Sequence, residues 1–179
     1  MRGYVTDAQG ACWLLPEAAA WQLEYTAGVS CDSFWIRCPW GRENTASPAG
    51  GVSFTAYEEG ERVFTGVVDE CQVSQSQDGG VLEVSGRGLA ALLLDNEALG
   101  QDYGTATLED ILRDHVEPYG IQTAPGASLP AVSPFSVSTG SSEWSVLYEY
   151  ARYHGGVAPR FDRLGRLVLT GWPEGEEKL

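Results

Sequence analysis

The sequence predicts a mainly β, α+β fold: an antiparallel β-barrel or sandwich module followed by a small module of two amphipathic helices and a β-hairpin. Three observations carry this. Six short alternating or aromatic-rich runs, at residues 21–25, 34–38, 52–57, 62–68, 71–75 and 81–85, are separated by Gly, Asp, Ser and Pro clusters, the spacing of a small antiparallel domain. Residues 80–98 read as strand, glycine break and helix without a gap. After Ala98 the texture turns from β-rich to helix-periodic, which divides the chain into modules 1–98 and 99–179.

Composition narrows the function classes. The 179 residues are 43% hydrophobic with 22 Gly and 9 Pro, as in a turn-rich globular protein. Eleven Lys and Arg face 25 Asp and Glu, a formal charge of −14, so the average field repels phosphate. Neither nucleic acid nor an anionic membrane is a natural partner. The N-terminus lacks the continuous apolar core of a signal peptide, and no run approaches the ~18 apolar residues of a membrane anchor, which places synthesis in the cytoplasm. Cys12, Cys31, Cys38 and Cys71 include no C-x-x-C, and His115 and His154 lie far from them, so no metal site is expected. They read as small buried hydrophobes kept reduced, with a Cys31–Cys38 disulfide as the alternative.

Taken in order, Trp13, Trp21, Phe34, Trp35, Trp40, Phe54, Tyr57 and Phe64 supply the core of the first module and part of its surface. Exposed Trp and Tyr also allow a carbohydrate platform. Residues 39–51 form a Pro- and Gly-rich loop long enough to have a task, and Pro39, Trp40, Arg42 and Pro48 are its candidate subunit contacts. Leu82 and Val84 alternate with Glu83 and Ser85, so a strand ends near Ser85. Gly86, Arg87 and Gly88 then form a tight structural corner before the helix formers Leu89 to Leu94. Gly86 to Ala91 also satisfy G-x-G-x-x-A, the dinucleotide fingerprint, but lack the second parallel strand and the acidic residue about 20 positions on that a nucleotide fold needs.

A polar linker at 99–106 precedes a helix opened by Thr107 and acids in its first turn. Leu108, Ile111, Leu112, His115, Val116 and Tyr119 share one face, and Pro118 and Gly120 end it. His115 on that face reads as a satisfied core or boundary histidine. Phe135 to Ser138 form a strand, and Ser141 and Ser142 cap a second helix with Trp144, Leu147, Tyr148 and Ala151 on one side. Residues 157–161 and 166–170 flank a four-residue turn and read as a hairpin, and the charged tail 173–179 frays. No catalytic constellation stands out: Ser145, His154 and Asp162 lack a nucleophile elbow, and the adjacent pairs Glu58-Glu59 and Asp69-Glu70 point to opposite strand faces.

Three pieces together resemble the baseplate-hub proteins (late control D or Mu-like hub) of contractile phage tails. Arg62 to Val68 with Leu82 to Asp95 resemble one conserved block of that family. Thr107 to Leu112 through Pro118 to Ile121 resemble its next helix, and Trp144 to Leu147 through Gly165 to Leu169 its later helix and hairpin. The resemblance implies a tail-tube-like barrel and a smaller module, assembled as a trimeric or hexameric ring between tail tube and spike. It also implies a non-catalytic virion part without cofactor, through which DNA passes unbound. Members of the family commonly continue into a second barrel, whereas this chain stops after the hairpin, as a fragment, a shortened protein or half of a split hub would. A carbohydrate-binding module is the first alternative and a dinucleotide-binding enzyme domain the second.

Overall fold

The computed structural model describes residues 1–26, 31–41, 48–76 and 79–172. The chain groups into two compact units, Met1–Leu92 with Arg163–Gly165, and Leu93–Asp162 with Arg166–Leu179.

The first unit is one antiparallel sheet of seven strands: β1 (Arg2–Asp7), β2 (Cys12–Leu14), β3 (Ala20–Glu24), β4 (Ser33–Trp40), β5 (Gly51–Glu58), β6 (Glu61–Ser76) and β7 (Gly79–Gly88). Their spatial order is β2-β1-β5-β6-β7-β4-β3. Six spacings would put the edges of a flat sheet about 29 Å apart, whereas the five residues 15–19 linking β2 to β3 reach about 20 Å at most. The sheet must therefore curl. Phe34 of β4 and Phe54 of β5, separated in the sheet by β7 and β6, stack with ring centroids 4.1 Å apart. Val5, Ile36, Phe64, Leu82 and Val84 complete a fully buried core inside the curl. β2 and β3 are successive parts of one run that leaves β1 and joins β4, with Leu15 N donating to Gly3 O and Ala19 N to Arg37 O. Among the described residues β2 and β3 do not pair with each other, so the barrel is curled and not closed.

Several expectations are corrected here. β1 and β2 were not legible as strands. Gly3 occupies an inward position of β1, where a Cβ would lie 2.9 Å from Phe54, so the alternation shows no apolar residue there. The runs at 62–68 and 71–75 are one strand, β6, whose register against β7 shifts between Val68 and Glu70. Asp69 is the extra residue of that bulge, and its carboxylate accepts from Arg87 Nε and Nη2 at 2.8 and 2.9 Å. β7 does not end near Ser85 but runs through Gly88, which pairs with Gly66. Cys12 is exposed and not a buried hydrophobe; Cys38 is buried, Cys31 and Cys71 are half-buried, and all four are free thiols.

In the second unit a short α1 (Ala90–Leu94, begun in the first) leads to β8 (Gln101–Tyr103), which occupies what the sequence presents as a linker. β8 pairs with β9 (Phe135–Val137). α2 (Leu108–His115) starts with a capping box in which Asp110 N donates to Thr107 Oγ1 and Thr107 N donates to Asp110 Oδ2. A 3₁₀ turn, Glu117–Tyr119, comes next and stops at Gly120, whose φ of 71° a side chain would resist. α3 (Glu143–Tyr148), capped by Ser142, continues into a π-helical turn, Glu149–His154. Trp144, Leu147 and Ala151 are buried as the periodicity predicts, and Tyr150 beside them is the largest fully buried side chain. The hairpin is shorter than expected, β10 (Arg160–Phe161) with β11 (Leu167–Val168). β11 gains a second neighbour, since Leu167 N donates to Gln122 O and Ala124 N to Leu167 O. The tail 173–179 lies outside the described residues.

Candidate functional site

The corner residues sit inside the ladder. Neither Gly86 nor Gly88 has a positive φ, so the reason for glycine is close approach and not turn geometry. A Cβ on Gly86 would lie 2.0 Å from Val67 O and 2.7 Å from Phe34, whereas one on Gly88 would meet Asp32 Cβ at 3.3 Å. Gly88 N donates to Asp32 O, and the actual corner falls at Leu89. A backbone occupied by ladder bonds offers no free cradle for a pyrophosphate. Among the described residues the pairings between strands are antiparallel, and the one parallel contact is the isolated Thr123–Leu167 bridge far along the chain, which leaves the dinucleotide arrangement without its parallel sheet.

Of the loop candidates, Pro39 is exposed, Trp40 is half-buried against the core, and Pro48 is buried at the start of a 3₁₀ turn, Pro48–Gly50. Arg42 lies outside the described residues. Trp35 and Trp40 point to opposite faces of β4, since Phe34, Ile36 and Cys38 face the core together with Trp40. No paired aromatic groove for a sugar forms from them.

The densest polar constellation is one the sequence does not advertise as a set. His115 and Glu143, 2% and 6% exposed, meet at 2.6 Å between Nδ1 and Oε2, joining the end of α2 to the start of α3. Tyr119 donates its hydroxyl proton to Glu143 Oε1 at 3.0 Å. Tyr103 of β8 lies 3.1 Å from His115 Nε2 and donates to Asp114 Oδ2 at 2.9 Å, and Gln101 Nε2 donates to the Tyr103 hydroxyl. Arg113 closes the set, donating to both Asp114 oxygens and to Asp110. The Arg113 guanidinium, ahead of the Tyr103 hydrogen bond, holds the Asp114 carboxyl below its ordinary range. Burial, reinforced by Asp114, pushes the Tyr103 phenol well above its own, and burial with the Glu143 carboxylate raises Tyr119.

A cavity of about 330 Å³ lined by Leu99, Gln101, Arg113, Asp114, His115, Pro118 and Glu143 opens beside this set. Its polar walls already bond one another, and no buried side-chain nitrogen or oxygen among the described residues lacks a partner. The arrangement braces α2, α3 and β8 and presents no free nucleophile. Ser145 Oγ donates to Ser142 O and the Asp162 carboxylate accepts from Arg166, so these two and His154 do not form a relay. Among the described residues no group of three or more His, Cys, Asp or Glu could hold a metal ion, and no helix is long and apolar enough to cross a membrane.

What remains open to partners in the first unit is backbone. Among the described residues β2 pairs only with β1 and β3 only with β4, and β6 continues past the first residue of β5, so these stretches of strand are paired on one side.

A curled antiparallel sheet with a helix-and-hairpin unit is a fold found among phage tail proteins. The chain is similar to a tail protein from Neisseria meningitidis (TM-score 0.73, 21% identity, 97% of this chain and 51% of that one). It is also similar to a 43 kDa prophage tail protein from Shewanella oneidensis (TM-score 0.71, 20% identity, 95% and 54%). A prophage tail protein from Listeria monocytogenes matches with a TM-score of 0.58 at 14% identity, over 94% and 50%. The chain thus spans about half the length of the solved tail proteins it matches. No protein-family model and no curated protein matches the sequence.

Proposed function

We propose that this chain is a structural, non-catalytic part of a phage or prophage tail, a baseplate-hub component that joins tail tube to spike by assembling into a ring. The observation that carries this reading is the fold shared with three phage tail proteins over at least 94% of the chain. Residues 1–98 are the tube-like module in this reading and residues 99–179 the smaller one. Assembly takes place in the host cytoplasm and the product resides in the virion tail. The charge of −14 suits a wall past which DNA slides without sticking.

Sedimentation over a wide concentration range, alone and with the tube and spike proteins of the same genome, tests this. The expected result is concentration-dependent association that the tube or spike protein completes. A strict monomer that ignores both proteins and turns over a glycan would replace this reading with a cell-wall enzyme.

A further inference from the structure

The hydroxyl of Tyr103 has one proton and two acceptors within reach. Asp114 Oδ2 lies 2.9 Å from it and His115 Nε2 3.1 Å from it, while Gln101 Nε2 donates to its oxygen. On the other side of the His115 ring, Nδ1 and Glu143 Oε2 stand 2.6 Å apart, a separation at which a proton lies between them, and Glu143 Oε1 accepts from the Tyr119 hydroxyl. Glu143 thus fixes Nδ1 as the protonated nitrogen, which leaves Nε2 as the one that changes. The titratable groups around this ring are Glu143 from α3, Tyr119 from the 3₁₀ turn, Tyr103 from β8, and Asp114, Arg113 and Asp110 from its own helix. Burial, with Asp114, holds the Tyr103 phenol well above its ordinary range, so this hydroxyl turns without giving up its proton.

We propose that Tyr103 is a two-position switch set by the proton on His115 Nε2. With Nε2 protonated, the ring donates to the Tyr103 oxygen and the hydroxyl donates to Asp114, so β8 is tied to the end of α2 by two bonds. With Nε2 bare, the hydroxyl turns to it and one bond replaces two, while Asp114 keeps its bonds from Arg113. Gln101 donates to the Tyr103 oxygen in either position. In the protonated arrangement the hydroxyl therefore uses its proton and both lone pairs, and each bond polarises the next. The ring is 2% exposed, and the proton on Nε2 is exchanged with solvent through the cavity that His115, Gln101 and Asp114 line. Falling pH tightens β8 against α2, and rising pH loosens it. The switch lies wholly within the second unit and does not depend on the assembly proposed above.

The chain has two histidines and His154 is exposed, so His154→Gln leaves His115 as the one ring signal in long-range proton–nitrogen NMR spectra. All measurements use the full chain carrying that substitution, with circular dichroism as the folding control. Across the pH range in which the protein stays folded, Nδ1 is expected to keep its proton while Nε2 alone gains and loses one. Asp114→Asn should weaken proton uptake at Nε2 by about threefold or more, because the Tyr103 hydroxyl is no longer drawn away from the ring. Tyr103→Phe should shrink that effect by about half or more, as a double-mutant cycle reads it. An equal effect with and without the Tyr103 hydroxyl would mean that Asp114 acts through space, and overturns the switch. A ring that titrates at Nδ1, or an Nε2 that keeps one state throughout, overturns it as well. These two ring readings need neither Asp114→Asn nor Tyr103→Phe, so they decide the proposal even if one of those variants fails to fold.

Discussion

At Gly86 an added Cβ would meet the Val67 carbonyl oxygen at 2.0 Å, and this oxygen belongs to a strand fixed on both sides. Gly86→Val should therefore destabilise by on the order of 3 kcal/mol, at the upper end of overpacking costs. Gly88→Ala, with its nearest neighbour at 3.3 Å, should stay within about 1 kcal/mol of wild type. Denaturant melts of the two variants check the contrast, which is invisible in the sequence because G-R-G presents both glycines alike. A second contrast concerns the buried pair. Removing Glu143 leaves the buried His115 and the Tyr119 hydroxyl without this partner, so Glu143→Ala should cost about 3–5 kcal/mol and Glu143→Gln clearly less. Asp114 adds a pH term. Its carboxyl is held below the ordinary 3.8, so its contribution is fully present above that pH and is lost as pH falls through the folded-state value. Arg113→Ala should move the acid-unfolding midpoint of the protein upward, as followed by circular dichroism. A midpoint that stays put would mean solvent screens this pair completely.

Among elements, the helices were the most legible part, since an apolar stripe and a cap each name a face and a start. Ile111, His115 and Val116 are buried as the stripe predicts, while Leu112 is only half-buried. Leu147→Ala, at a fully buried position, should cost about 2–5 kcal/mol, whereas Leu112→Ala should cost distinctly less. Equal losses in thermal melts would mean that Leu112 lies as deep in the core as Leu147. The strands were legible where apolar and polar residues alternate, as in β4, β5 and β7. They were missed where the inward residue is glycine, as in β1, or where only three residues pair, as in β2 and β8. β6 was divided because Asp69-Glu70 has the composition of a turn, yet a bulge absorbs the extra residue and the strand runs on. Likewise Glu59 and Gly60 at the β5–β6 turn both take positive φ, a geometry that G alone signals in E-E-G-E.

For the molecule as a whole, the change of texture along the chain announced two kinds of architecture, but no local pattern announced the curl of the sheet. The curl depends on the residues 15–19 that link β2 to β3, a constraint of length and not of composition. The candidate polar cluster was equally hidden, because Tyr103, His115 and Glu143 are far apart in sequence and meet only through the packing of β8, α2 and α3. What the sequence does state outright is the imbalance of 11 basic against 25 acidic residues, and this has a consequence for assembly. In the proposed assembly, copies brought together would repel one another over distances comparable with the Debye length, about 10 Å at 0.1 M salt and about 30 Å at 0.01 M. Apolar contact is barely affected by such screening. Self-association should therefore strengthen as sodium chloride rises from about 0.01 M to about 0.15 M, the opposite of a complex held by ion pairs. Over the same range the chain should show no retention on duplex DNA at any salt concentration. Association that weakens with added salt, measured by sedimentation equilibrium, would show that complementary charges hold the copies together.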